Sequence, residues 1–109
     1  MNSLNEQYLE REFAKFAKER IGKGPSKTKV RIHDDVLLCI QYGFLTKAEE
    51  IIINSGHLDK VVDYRRIYIT ACIHDIDTII EQVLNRHIKD FFPSWNIEKS
   101  MSCWTIFLD

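Results

Sequence analysis

No apolar run in this sequence approaches the roughly 18 residues needed to cross a bilayer. Its first twenty residues are polar and amphipathic, not a continuous apolar leader. Neither a membrane-spanning helix nor a signal peptide is expected. Cysteine is scarce and scattered: Cys39, Cys72 and Cys103 are odd in number, far apart and form no CxxC pair. That argues against a disulfide framework or a zinc site and predicts buried thiols in a reducing cytoplasm. Excess charge is lacking too. The formal net charge is −1, so nothing pulls the whole chain toward nucleic acid.

The usual catalytic signatures are missing as well. There is no GxSxG elbow, no Walker spacing and no recognisable cysteine-nucleophile motif. Gly22-Lys23-Gly24-Pro25 looks like a phosphate loop. Its glycines, however, follow a predicted helix instead of preceding one, so free N–H groups would not converge on an anion. Repeats and low-complexity segments are absent. What remains is an ordinary globular balance, 45% hydrophobic and 28% charged over 109 residues. That is one domain's worth, residues 1–109, with an N-terminal helix over 1–21 and a core over 22–109.

Charge is unevenly placed along the chain. Arg11, Lys15, Lys18, Arg20, Lys23, Lys27, Lys29 and Arg31 face only Glu12 and Glu19 across residues 11–31, and the chain is net acidic from residue 32 onward. A solvated face is the simpler reading. An acidic partner, an anionic membrane surface or nucleic acid is the alternative.

The spacing of Leu4, Tyr8, Phe13, Phe16, Ala17 and Ile21 predicts an amphipathic helix over 3–21. Ser3 and Glu6 supply a capping box at its start, and Gly22 and Pro25 end it. Val30 and Ile32 alternate with Lys29 and Arg31, which predicts a strand at 28–32. A polar turn at His33-Asp34-Asp35 leads to a second strand over 36–42, making a hairpin. After Gly43, Thr46 and Glu49 form another capping box, and a helix starts near Lys47. Ser55-Gly56 interrupts it. A long helix is expected from Leu58 to Leu84, then strands at 87–92 and 101–108.

This order, α-β-β-α-β-β, predicts an α+β fold with a four-stranded, mostly antiparallel sheet. The second and last strands are apolar on both sides: Met101, Cys103 and Phe107 alternate with Trp104, Ile106 and Leu108. Such a sheet needs two covers. The long helix is expected on one face. The N-terminal helix or a second subunit is expected on the other, which predicts a homodimer.

Candidate chemistry is sparse. His33-Asp34-Asp35 offers adjacent polar groups, but neighbouring side chains diverge and rarely share one ion. His74 and Asp77 share a helix face and could form an acid–base pair, although an ordinary helix-face contact explains them as well. His57 and His87 flank that helix. Tyr64-Arg65-Arg66 is a small basic-aromatic spot, with a solvated face as the default. Trp95 beside Pro93 reads as a loop aromatic that anchors an interface or folds over the sheet edge.

Residues 22–25, Lys29 through Asp35, and Gly43-Phe44-Leu45-Thr46-Lys47-Ala48-Glu49 together resemble the MpsC-like family, named for a sodium-translocating, membrane-potential-generating system. Members show a GKGP turn, a short strand, a polar turn, a second strand and a G-x-L-T-x-A-E helix entry. The matching positions are Gly22, Gly24, Pro25, His33, Asp34, Gly43, Leu45, Thr46 and Glu49. One departure stands out. The family's His-Ser-Asp-like segment near the third strand is Phe92-Pro93-Ser94-Trp95 here, where only Ser94 matches. The resemblance implies a small cytoplasmic bacterial protein, linked to cation or bicarbonate transport at the membrane, in a family with no established catalytic activity.

The expectation is therefore a non-catalytic accessory or regulatory protein acting through protein–protein contact, as a homodimer, with a membrane-protein partner. A small-ligand sensor for an anion or nucleotide is the alternative. An enzyme or nucleic-acid binder is disfavoured. Lys23, His33, Asp34, Arg65, Arg66 and Trp95 are the candidate ligand- or partner-binding residues. Catalytic residues, metal ligands and cofactors are not expected.

Overall fold

The computed structural model describes residues 2–109. Helix α1 (Leu4–Ile21) leads into strands β1 (Lys27–His33) and β2 (Val36–Tyr42). Helices α2 (Lys47–Asn54), α3 (Leu58–Ala71) and α4 (Ile73–Leu84) follow, then strands β3 (Ile88–Asn96) and β4 (Met101–Leu108). The α+β fold is as expected, with a fully antiparallel sheet in the order β1-β2-β4-β3.

Both capping boxes close as their residues dictate. Ser3 Oγ accepts the Glu6 N–H while Glu6 accepts the Ser3 N–H, and Thr46 and Glu49 repeat the arrangement on α2. Gly22 ends α1 at φ 95. Gly43 turns the chain out of β2 at φ 62, and a Cβ there would collide with the Ser26 hydroxyl, so a glycine is required twice over.

Three expectations need correction. The long helix is broken at Cys72 (φ −95, ψ 10), which ends α3 and starts α4. The third strand runs on to Asn96, so Pro93 and Trp95 lie within it and not in a loop. Pro93 is tolerated because β3 is an edge strand and needs no ladder N–H there. The third correction concerns layers. The N-terminal helix does not cover the second face. Leu9, Phe13 and Phe16 of α1 join Ile76 and Ile80 of α4 on the same side, against Val30, Leu37, Cys39, Trp104, Ile106 and Leu108.

Trp104 is the centre of that core. The rings of Phe13, Phe16 and Phe91 surround it at 5.5, 6.3 and 5.9 Å, the first two edge-on. A second, smaller core of Phe44, Leu45, Val61 and Ile97 ties α2 and α3 to the end of the sheet.

Helix α1 also guards the β1 edge. The outward N–H of Val30 donates to Glu10 Oε2 at 2.8 Å, and that of Ile32 to Glu6 Oε2 at 2.7 Å. Donation from Ser3 and Ile32 holds the Glu6 carboxyl below its ordinary range. Open ladder groups on an edge strand template further pairing, and these carboxylates occupy them.

Candidate functional site

Of the family-motif residues, Gly43, Leu45, Thr46 and Glu49 gather at one structural junction with the Gly22–Pro25 turn, whereas His33 and Asp34 lie in the hairpin turn at the other end of β1. Glu49 Oε1 closes the capping box by accepting the Thr46 N–H, and both carboxylate oxygens accept from Arg65. Arg65 Nε lies 2.6 Å from Oε2, and Nη2 lies 2.5 Å from Oε1. Both residues are about 5% exposed, so Arg65 is a buried cation and not part of a solvated face. Its Nη2 also donates to the Phe44 carbonyl at 3.1 Å, and the guanidinium stacks 4.8 Å from the Phe44 ring. Burial raises the Glu49 carboxyl, but Arg65 and Thr46 outweigh it and the net direction is down. Lys23 Nζ donates to the Leu45 carbonyl at 2.7 Å. The Gly22–Pro25 turn is thereby laced to the loop entering α2. Thr46, Gly43, Leu45 and Glu49 are thus parts of the scaffold.

The remaining candidates are dispersed. His33 and Asp34 sit in the hairpin turn with side chains 94% and 85% exposed. The seven residues of β1 put that turn about 20 Å from the Gly22–Pro25 turn, so the two do not share one pocket. Asp35 beside them pairs with Arg86 at 2.7 Å, and Arg86 also binds the Asp34 and Asp109 carbonyls. Arg66 lies over the Trp95 ring at 5.3 Å and donates to the Pro93 carbonyl, pinning α3 to the β3 edge. Trp95 is half-buried against the smaller core. Of the basic N-terminal group, Arg20 pairs with Asp75 and Arg31 with Glu10.

His74 does not pair with Asp77. The Asp77 carboxylate instead holds His87 Nδ1 at 2.9 Å and the Ile88 N–H at 2.7 Å, while Glu81 takes His87 Nε2 at 2.7 Å. This clasp closes the α4–β3 corner. The bond to Asp77 raises the His87 pKa above 6.5. Its contribution to stability is complete below that value and is lost as pH rises through the raised value of the folded state. The thermal midpoint is expected to fall on that alkaline side, and His87→Gln to lack that component of the fall. A fall of equal slope in the variant would show the clasp to be silent.

Among the described residues no group of three or more His, Cys, Asp or Glu side chains gathers as a metal site. A cleft of about 250 Å³ opens beside the Arg65–Glu49 junction, lined by Ile21, Ile52, Lys60, Val61 and Tyr64. It falls short of the roughly 300–1,000 Å³ of ordinary ligand pockets.

The most extensive candidate surface is the sheet face away from the helices. Val36, Leu38, Ile40 and Tyr42 of β2 alternate with the core-facing residues, and Met101, Cys103 and Phe107 of β4 stand beside them. None of these seven is buried, whereas Leu37, Cys39, Trp104 and Ile106 behind them are at most 2% exposed. Phe92 of β3 is 57% exposed and stacks edge-on with Phe107 at 5.9 Å. Lys27 and Lys29 border this apolar field on β1. Asp90, Ser94 and Asn96 border it on β3. The two-sided apolarity of the second and last strands signalled the face in the sequence. Its vacancy could not be read there, because nothing in the pattern says on which side a helix will land.

The described residues contain no helix long and apolar enough to cross a membrane. No curated protein and no solved structure matches the chain. One family model does match, over residues 3–109, and it is described as MpsC, Na+-translocating membrane potential-generating system. Spanning the junction, the sheet and all four helices, that match makes this chain a member of the MpsC family.

Proposed function

We propose that this protein is a non-catalytic accessory or regulatory subunit of a membrane-potential-generating cation or bicarbonate transport system. It acts from the cytoplasmic side through protein–protein contact, and it works as a homodimer. The observation that supports the homodimer in this reading is the apolar sheet face, a contiguous patch of a kind that monomeric proteins rarely leave open unless it is used. Family membership supplies the link to a Na+ system.

The test is a tagged pull-down from gently solubilised cells, read by mass spectrometry. Recovery of integral membrane transport subunits is the expected result. Recovery of the chain with a small-molecule mass and no membrane protein would overturn it. The ligand-sensor alternative would then stand.

A further inference from the structure

We propose that a second copy of this chain covers the open sheet face, and that the two-fold axis runs parallel to the strands, laying β1 of each protomer over β3 of the other. This rests on the reading above that the protein is a homodimer and adds the surface and the symmetry.

Edge-to-edge pairing is blocked at both ends of the sheet. On β1 the outward N–H groups of Val30 and Ile32 are taken by Glu10 and Glu6, and the Val30 carbonyl by Arg31. On β3, Pro93 has no N–H and Arg66 occupies its carbonyl, while Asp77 takes the Ile88 N–H and a register shift follows between Ile88 and Asp90. These devices keep a strand from adding. The faces differ. One is filled by helices, and the other is apolar along two central strands, with none of the described helices over it.

The size fits a second copy. Four strands about 4.8 Å apart and seven residues long at about 3.4 Å each present roughly 450 Å² in projection. A pair of such faces covers about 900 Å² before side-chain relief is counted, close to the ~1,000 Å² that a specific interface needs. Face-to-face packing of two sheets near −30° is also a standard way to complete a β-sandwich.

Charge then chooses between the two axes that keep the strands of the two sheets aligned. An axis across the strands would set β1 against β1, bringing Lys27 and Lys29 over the partner's basic strand. Like charges opposed in an interface disfavour that arrangement. An axis along the strands sets β1 over Asp90, Phe92, Ser94 and Asn96, a rim with no cation. The register puts His33 level with Asp90 and Arg31 level with Phe92, since Val36 pairs with His33 and Phe107, and Phe107 with Asp90.

Native mass and cross-linking test this together. The wild-type chain at about 100 µM is expected at twice its 12.9 kDa mass, and Ile40→Asp at the single mass with its circular dichroism intact. Phe107→Asp, at a more exposed position, gives a second reading should Ile40→Asp fail to fold. A single mass for the wild type would sink the homodimer altogether. A double mass that survives both substitutions would keep the dimer and overturn this face.

For the axis, His33→Cys and Asp90→Cys are placed in separate chains that also carry Cys72→Ala and Cys103→Ser. A short bis-maleimide is expected to join the two only in the mixture. Cross-linking of His33→Cys chains to each other, or no cross-link in a mixture that is dimeric, would overturn the proposed symmetry.

Discussion

Arg65→Met is expected to lower the unfolding free energy by about 3–5 kcal/mol, among the largest losses available to a single substitution in this chain. Methionine replaces much of the aliphatic volume, so the loss is electrostatic in origin. The Glu49 carboxylate stays about 5% exposed and keeps only its bonds from Thr46. A buried charge without its counter-ion either remains charged at high cost or takes up a proton. The Phe44 carbonyl loses its Nη2 donor in the same stroke. Urea unfolding monitored by circular dichroism would measure the loss. The double variant Arg65→Met/Glu49→Gln separates the causes. Glutamine keeps the capping-box geometry but carries no charge, so the pair is expected to recover a substantial part of the loss. A single variant within about 1 kcal/mol of wild type would show that the junction is not held by this ion pair.

The same junction shows how far the sequence could be read. Ser3, Glu6, Thr46 and Glu49 announced two helix starts because a capping box is local: four consecutive residues satisfy each other's backbone groups. The hairpin was legible for the same reason, with Asp34 tolerating φ 53 between two apolar runs. What escaped was longer in range. Arg65 reads as a surface charge until Glu49, sixteen residues away, is known to lie against it. Glu6 and Glu10 look like the polar side of α1, yet their carboxylates reach twenty residues and more along the chain to the β1 edge. The break at Cys72 left no mark either. Neither proline nor glycine stands there, and the inward positions Ile69 and Ile76 keep a seven-residue interval straight through it. Periodicity alone continues the helix.

Layer assignment failed for a related reason. An amphipathic stripe on α1 says that one side of the helix must be buried, but not against which face of the sheet. Helix α1 has its apolar stripe on the side occupied by α4, where Phe13 and Phe16 meet Trp104. That choice leaves β2 and β4 with one satisfied face and one apolar face in water. The candidate for a second cover inside the chain is thereby excluded, which leaves a second chain as the cover proposed above.

Phe13→Ala is the other substitution with a large expected effect, about 3–5 kcal/mol of unfolding free energy. Phe13 is fully buried, and its ring packs edge-on at 5.5 Å against Trp104. Truncation removes transfer energy and leaves a cavity between α1 and the sheet that the stiff aromatic cluster cannot fill. Phe92→Ala removes the same ring from the opposite face, where it is 57% exposed. Its effect on the unfolding of an isolated chain is expected to stay below about 1 kcal/mol. The two variants therefore divide the work of one sheet. Phe13 is expected to act on whether the chain folds, and Phe92 on whether folded chains associate. Unfolding measured at low protein concentration, beside native mass measured at high concentration, separates the two. A large unfolding loss for Phe92→Ala in a monomeric sample would mean that the open face supports the fold itself, and an association role for it would no longer be needed.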